Sequence, residues 1–469
     1  MLITIARHTF AGLVREGRLW LTTGLLVILI LVAGLAGWQQ VRTLRAEAAT
    51  ATVHERERWL GQGEKNPHSA AHYGIYAFKA PRPLAVLDPG VQPYLGSAVW
   101  LEAHKQNEPL YRPAQDGTAL QRFGDLSAAL VGQTLLPLLV ILLGFASFAG
   151  ERETGTLRQL LALGVSPRDL LAGKALGLGS ALALVLAPLA ALGLAAATAF
   201  APAGQRTDEL LRALGFVAAY ALYLGVFLFL TLTVSALVRS ARTAAVVLLA
   251  FWLVGVVAWP RALSDLGRAL HPTPSSVAFR AELDAALGDP HAADTKETEK
   301  QALLKKHGVT KIKDLPINWA GVSLQLGEEH GNELFDRFFG RLWATLAAQD
   351  RIFQLGSLLS PAPALQLVSQ ALAGNDTTQH IDFLTQAETQ RRAIQRTLNG
   401  AIRDGKALGD GNWEIKTERQ LWEKIPPFVY TPPSVGTALA PVLPGIVLLV
   451  AWCAAAWCAA LWAVRRLIS

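Results

Sequence analysis

The sequence predicts an all-α polytopic membrane protein with six transmembrane helices and two extracytoplasmic, mainly helical domains. Of its 469 residues, 52% are hydrophobic and 17% are charged, whereas about 25% are charged in typical soluble proteins. The apolar residues concentrate in six runs, whose lengths are close to the roughly 20 residues that a spanning helix requires. Basic residues flank these runs, a distribution that is typical of membrane topology.

We predict the six spans at residues 21–38, 126–149, 175–200, 213–238, 244–259 and 436–464. The first run follows basic residues, as in a signal peptide, but it is long and lacks a clear small-residue cleavage site. We therefore expect a retained helix. Residues 1–18 mix apolar and basic side chains, which fits either an interfacial helix or the cytoplasmic start of a longer first helix.

The polar segments between the spans define the expected domains and the orientation. Short connections rich in Lys and Arg favour the cytoplasm, so both termini are expected there. The predicted organisation is an interfacial helix and first span (1–38), a first extracytoplasmic domain (39–125), spans two to five with a cytoplasmic hairpin at 150–174 (126–260), a second extracytoplasmic domain (261–435), and the sixth span with a cytoplasmic C-terminus (436–469).

The hairpin between spans two and three is the most informative stretch, with the sequence GERETGTLRQLLALGVSPRDLLAGK. Leu157, Leu160 and Leu161 follow the i, i+3, i+4 spacing of one helical face. Gly164 is a natural helix stop. These residues predict a short helix with an apolar face between two membrane spans.

A second short helix is expected after the turn. Ser166, Pro167 and Asp169 have the residue types of a helix N-cap, first position and capping-box acid. A structured hairpin with an apolar face has two interpretations. It binds a partner, or it packs against the protein's own membrane helices.

The hairpin resembles the cytoplasmic segment of type-2 ABC transporter permeases. The similarity lies in the acidic pair Glu151 and Glu153, the following Gly-Thr-Leu, the leucine-rich helix and the Gly-Lys entry to the third span. The stretches that start NPHSAAHYGIYAF and SPAPALQLVSQAL further resemble a subfamily with large extracytoplasmic inserts between helices 1 and 2 and between helices 5 and 6.

From this resemblance we expect the permease subunit of an ATP-driven exporter in the bacterial cytoplasmic (inner) membrane. It implies a separate ABC ATPase that carries ATP and magnesium, and a dimer with a second copy or a sister permease in the lipid bilayer. The residues implied in ATPase coupling are Glu151, Arg152, Glu153, Thr154, Gly155, Thr156, Leu157, Leu160 and Leu161.

The chain itself is expected to be neither an enzyme nor a cofactor carrier, because it lacks the G-x-x-x-x-G-K-[ST] phosphate loop. Nucleic acid is not an expected partner, since no basic patch is interleaved with aromatic residues. The alternative function is a membrane-anchored assembly or mechanotransmission protein whose extracytoplasmic domains act on a periplasmic partner.

The histidines of the HSAAH motif raise a separate question. His68 and His72 are four residues apart, so on a helix they share a face and could present two imidazoles to a transition metal. A third ligand could come from His104 or Glu102. The other interpretation is that the histidines form structural hydrogen bonds. We therefore predict no metal site. If a metal is bound, His68 and His72 are the candidate ligands.

Overall fold

The computed structural model describes residues 1–112, 114, 126–288, 291–405 and 415–467. Among them are six helical spans long and apolar enough to cross a membrane, which confirms the predicted fold class. These spans are Leu19–Leu60, Ala128–Glu153, Pro167–Ala199, Arg206–Leu237, Ala241–Leu270 and Val435–Arg465.

The first third of the chain contains helices α1 (Leu2–Arg15), α2 (Gly17–Leu60), α3 (Pro67–Tyr73) and α4 (Gln92–Leu95), and strands β1 (Ile75–Phe78) and β2 (Ala98–Leu101). The middle contains α5 (Ala128–Gly144), α6 (Ala149–Glu153), α7 (Thr156–Ala162), α8 (Pro167–Ala199), α9 (Arg206–Leu237), α10 (Ala241–Trp252) and α11 (Trp259–Leu270). The remainder contains α12 (Ser276–Leu287), α13 (His291–His307), α14 (Trp319–Gly356), α15 (Pro361–Ala373), α16 (Thr377–Arg403), α17 (Arg419–Glu423), α18 (Val435–Leu439) and α19 (Leu443–Arg465). Short 3-10 turns lie at Pro83–Val86, Ile312–Asp314 and Ala440–Val442.

The N-terminal residues form a helix of their own. Glu16 is extended and separates α1 from α2. Helix α1 lies against α8, where a Cβ at Gly173 or Gly177 would come within 2.6 Å of Ile5 or Thr9. Glycine therefore permits the two helix backbones to approach closely, as small residues do between membrane helices.

Helix α2 is much longer than the first predicted span. Its 44 residues correspond to about 66 Å at 1.5 Å per residue, whereas the hydrocarbon core is about 30 Å thick. The predicted boundary at residue 38 therefore falls inside a continuous helix. The polar half of α2 carries Trp59 into the domain beyond the spans, where it is buried.

Two other spanning helices also extend beyond their predicted boundaries. Helix α8 begins at Pro167 and continues through the third span, so the expected second helix of the hairpin is the first part of a spanning helix. The fifth span runs from α10 to α11 through a π-helical stretch, Leu253–Ala258. Ser360 Oγ donates to the carbonyl of Gly255 at 2.8 Å within this stretch, which compensates for local irregularity in the helical ladder.

Helix α5 contains Pro137, which removes the donor to the carbonyl four residues earlier. The Tyr223 hydroxyl donates to that carbonyl, at Gln133, at 2.8 Å. The Trp252 indole donates to the carbonyl of Thr134, also at 2.8 Å. Neighbouring helices thus satisfy backbone groups near the proline, as the apolar environment requires.

The two long polar segments pack into one body, which we call the polar domain (residues 61–112, 271–359 and 374–434, as far as described). Its core joins Ile75 and Leu101, paired across the small antiparallel sheet, to Phe383 and Trp422 of the second segment. Trp59 donates from its indole to the carbonyl of Trp422 at 2.9 Å. The segments that we predicted as two domains therefore share one hydrophobic core.

Helix α15 lies where the sequence analysis placed extracytoplasmic domain, within residues 261–435. The structure instead packs it against spanning helices α9 and α19. Leu365, Val368 and Leu372 share the largest buried cluster with Tyr223 and Leu449. Thirteen residues make a helix of about 20 Å, which is too short to be recognised as part of the bundle from the sequence.

Candidate functional site

The part of the hairpin that precedes α8, residues 149–166, is compact and contains two glycines at its turns. We use the word hairpin for this part from here on. Gly155 and Gly164 adopt φ values of 79° and 82°, a region that glycine enters without steric cost. The Gly164 amide donates to the Leu161 carbonyl at 3.0 Å, and the Val165 amide donates to Leu160 at 3.2 Å. This is the Schellman pattern that terminates a helix.

The next helix begins where the sequence predicted. Ser166 Oγ accepts a hydrogen bond from the backbone amide of Asp169 at 3.0 Å, and Pro167 occupies the first turn of α8. This N-cap satisfies one of the donors left free at a helix start. The turn between α7 and α8 is therefore fixed by local hydrogen bonds.

Glu151 ties the hairpin to α8. Its carboxylate lies 2.5 Å from the Lys174 ammonium. Lys174 Nζ also donates to the carbonyl of Ser147 at 2.8 Å. Lys174 is 5% exposed, so loss of Glu151 would leave a buried ammonium without its charged partner.

Arg152 ties the hairpin to the end of α9. Its guanidinium donates to the carbonyl of Ala236 at 2.7 Å and to that of Val238. A cation suits this end of a helix, where carbonyls lack intrahelical donors. The residue before Ala236, Ser235, accepts through its Oγ from the amides of Phe148 and Ala149 at 3.0 and 3.1 Å.

Glu153 ties the hairpin to the start of α10. Its carboxylate accepts from the backbone amide of Ala241 at 3.1 Å. A carboxylate stabilises the positive end of a helix. Three consecutive side chains, Glu151, Arg152 and Glu153, therefore contact three different spanning helices.

The predicted coupling residues divide between an inner and an outer face. Leu157 is 4% exposed and belongs to a cluster with residues of α1, α8, α9 and α19. Leu160 and Leu161 pack at the edge of this cluster. Among the nine predicted coupling residues, Glu153, Thr154 and Thr156 are exposed to solvent.

The outer face also contains residues that the sequence analysis did not select. Arg158, Gln159, Ala162 and Leu163 are exposed, and Leu163 is 75% exposed. Their positions in the sequence are those opposite the leucine face of α7, so helical periodicity could have identified them. The surface available to a partner is consequently small, mixed in polarity and centred on α7.

The opposite end of α9 carries a buried charge network. Arg212, whose side chain is 0% exposed, contacts Asp208 at 2.7 Å and donates to the carbonyls of Ala371 at 3.1 Å and Pro433 at 2.7 Å. Arg82 of the polar domain contacts Asp208 at 2.6 Å and Glu209 at 2.9 Å. The predicted fourth span, which starts at residue 213, missed these charges because helix α9 begins at Arg206.

The histidines of HSAAH lie on α3 and face a third histidine. His72 Nε2 is 3.2 Å from His68 Nε2 and 3.2 Å from His104 Nε2. One ligand atom from each of the three rings can be chosen with all three within 4.8 Å of one another. Of the two predicted third ligands, His104 is the one in this cluster, whereas Glu102 pairs with Lys105 at 3.7 Å.

The environment of His68 and His104 favours the neutral imidazole. Burial, then the neighbouring His72, His68 and Arg391, lower the pKa of His104 to about 4. Burial and His72 also lower the pKa of His68. Neutral imidazole is the form that binds metal ions.

The geometry defines a six-span membrane protein with a hairpin bound to three of its spans. A family model described as ABC-2 family transporter protein matches residues 3–463. The chain belongs to this family of transmembrane subunits of ABC transporters. It is thus a multi-pass permease subunit and not itself the ATPase, and its family works with an ABC ATPase partner. Among curated proteins, none matches the chain.

Proposed function

We propose that this protein is the permease subunit of an ATP-driven exporter and that its hairpin docks on the separate ATPase subunit. The observation that carries the proposal is the attachment of Glu151, Arg152 and Glu153 to α8, α9 and α10. A force applied to the exposed side of α7 would reach three spanning helices at once. Rigid-body movement of packed helices is a common form of conformational coupling.

The basic residues support an orientation with the hairpin and both termini in the cytoplasm. The hairpin, α1 and the end of α19 share one buried cluster, so they lie at the same end of the helical bundle. Arg7, Arg15, Arg465 and Arg466 belong to the chain ends there. Under the positive-inside rule, this end faces the cytoplasm and the polar domain lies outside a bacterial inner membrane.

ATP and magnesium would then act in the ATPase, with no cofactor for that reaction in this chain. The assembly would contain two permeases, either two copies of this chain or this chain and a sister subunit. Closure of the ATPases would move the two hairpins and, through them, the spans. The partner surface on each permease is the exposed face of α7, with Thr156, Arg158, Gln159 and Leu163.

A pull-down tests this docking surface. The tagged chain is co-expressed with ABC ATPases of the source organism, in wild-type form and as Leu163→Glu. The control is Val277→Glu on α12, because Val277 is 78% exposed and Leu163 75%. We expect wild type and the control to retain a stoichiometric ATPase. The amount of ATPase recovered with Leu163→Glu should be lower by about tenfold or more, as for a central interface residue.

The pull-down has a clear contrary result. Equal ATPase recovery with all three forms would exclude the outer face of α7 as the docking surface. A stable membrane preparation with no ATPase in any form would contradict the wider proposal.

The second candidate function is mechanotransmission to a periplasmic partner. The observation that favours it is the double attachment of α9, to the hairpin through Arg152 and to the polar domain through Arg212 and Asp208. Hydrogen exchange in liposomes with the ATPase but without cargo tests it. ATP-dependent changes in the polar domain without cargo would support this function, whereas the absence of such changes would favour the exporter.

A further inference from the structure

We propose that His68, His72 and His104 form a binding site for a divalent transition metal of the zinc class on the polar domain. This inference does not depend on the transport function. It departs from the sequence-based expectation of no metal site, because the structure adds a third imidazole to the two that share α3.

The backbone places the three rings together. Asn66 caps α3 by accepting from the His68 amide at 2.8 Å, so the first histidine sits in the first turn. The loop after β2 reaches α3 through a hydrogen bond from the Ala103 amide to the Ala71 carbonyl at 3.3 Å. Ala71 is followed by His72 and Ala103 by His104, so this bond brings the two histidines close together.

The separations fit one metal ion. The Nε2 of His72 lies 3.2 Å from the Nε2 of His68 and 3.2 Å from that of His104. In a tetrahedral site with zinc–nitrogen bonds of about 2.0 Å, neighbouring ligand nitrogens are about 3.3 Å apart. His72 Nε2 takes part in both contacts, and one ligand atom from each ring can be chosen with all three within 4.8 Å of one another.

Hydrogen bonding alone does not explain the cluster. A ring nitrogen of neutral histidine has either one N–H or one lone pair, so it forms one good hydrogen bond. His72 Nε2 has two ring nitrogens at 3.2 Å. A cation bound by three lone pairs accounts for both contacts at once.

The residues behind His104 are those of a supported metal ligand. His104 Nδ1 lies 3.4 Å from the carboxylate of Glu328, which is buried and accepts from Asn399 at 2.7 Å. A carboxylate behind a histidine orients the ring toward a metal. The carbonyl of the adjacent Ala103 accepts from Arg391 at 2.6 Å, and this contact holds the loop.

The ligand set defines the metal class. Three neutral imidazoles suit zinc, copper or nickel and do not suit calcium or magnesium, which prefer oxygen. His72 and His104 are exposed, so a fourth position faces solvent, where water or an external donor completes a tetrahedral site. Such a site can exchange its metal, unlike a closed structural site with four protein ligands.

The test uses the full-length protein, purified with a tag that contains no histidine and stripped of metal with a chelator. Zinc is titrated calorimetrically into wild type, His72→Ala, His104→Ala and His54→Ala. His54 is an exposed histidine outside the cluster and serves as the control. We expect one equivalent per chain for wild type and control, and binding weaker by roughly 100-fold in the two cluster variants, as loss of a ligand should cost at least as much as loss of its supporting residue.

Two further measurements keep the result interpretable if a variant folds poorly. Copper(II) electron paramagnetic resonance on wild type should show splitting from three nitrogens. Glu328→Gln should weaken zinc binding by roughly tenfold, as loss of a supporting carboxylate does. The proposal is overturned if metal-free wild type binds no zinc, or if both cluster variants bind as tightly as wild type.

Discussion

The two ends of α9 are held in different ways. At the hairpin end, Arg152 donates to the last carbonyls of the helix, and Ser235 accepts from the hairpin backbone. At the other end, the fully buried Arg212 joins Asp208 of its own helix to carbonyls at Ala371 and Pro433. One end is bound by a short segment at the surface, and the other is enclosed by α15 and by segments of the polar domain.

This difference separates a movable end from a fixed one. At its hairpin end, α9 is held through Arg152, which is partly exposed, so moving the hairpin relative to α9 leaves no fully buried charge of α9 without a partner. Displacing the other end would break the contacts of the buried Arg212 and leave buried charges without partners, which is costly. Conformational change driven through the hairpin is therefore expected to carry α9 and the polar domain together.

The largest expected effect is at the fixed end of α9. Arg212→Ala leaves Asp208 and several carbonyls without their buried donor, and we expect the free energy of unfolding to fall by about 3–5 kcal/mol. The measurement is the apparent melting temperature of the purified protein in detergent. The control is Arg206→Ala, because Arg206 is exposed in the first turn of the same helix. Equal losses for both variants would show that the network does not fix this end.

A smaller effect is expected at the movable end. Arg152→Ala removes charge-assisted hydrogen bonds to the α9 carbonyls, and the free energy of unfolding should fall by about 1.5–3 kcal/mol. Arg158→Ala, on the exposed side of α7, is the matched control and should melt like wild type. A loss as large as that of Arg212→Ala would remove the contrast between the two ends.

The polar domain should also differ from the hairpin in its response to pH. Burial, and then the charge of Asp376, raise the pKa of Asp350 to about 6. The folded state thus retains this proton more strongly than the unfolded state, so stability falls as pH rises from about 4 to about 6, by up to about 3 kcal/mol.

Melting temperatures between pH 4 and pH 7 measure the contribution of Asp350. Asp350→Asn should flatten the decline in this window, whereas Asp314→Asn, at an exposed carboxylate, should leave it in place. If Asp350→Asn shows the same decline as wild type, the pH response of the polar domain has another source.

The smallest stability effect is expected at Glu153. Glu153→Gln should lower the free energy of unfolding by about 0.3–1 kcal/mol, because it weakens one interaction with a helix start. Glu153→Arg places a positive charge at the same positive end, so it should also reduce ATPase stimulation while the protein stays in the membrane. Glu299→Arg, at an exposed position of the polar domain, is the control. Full ATPase stimulation with Glu153→Arg would count against the coupling role of the hairpin.

The sequence predicted the hairpin well at the level of single turns. Gly164 and Ser166 have the roles expected of a helix stop and a helix cap. It predicted less well which side chains face outward. Glu151 and Arg152 look like surface charges in the sequence, but their partners lie on α8 and α9. Leu157 likewise turned inward.

The sequence by itself determined the six apolar spans, the caps and turns of the hairpin and the shared face of His68 and His72. Each of these follows from residues within a few positions of one another, where helical period and local hydrogen bonds decide the structure. Only the tertiary structure decided that Trp59 packs with Trp422, that α15 enters the bundle and that His104 joins the other histidines. These contacts join residues far apart in the chain, and their formation depends on the packing of the whole molecule.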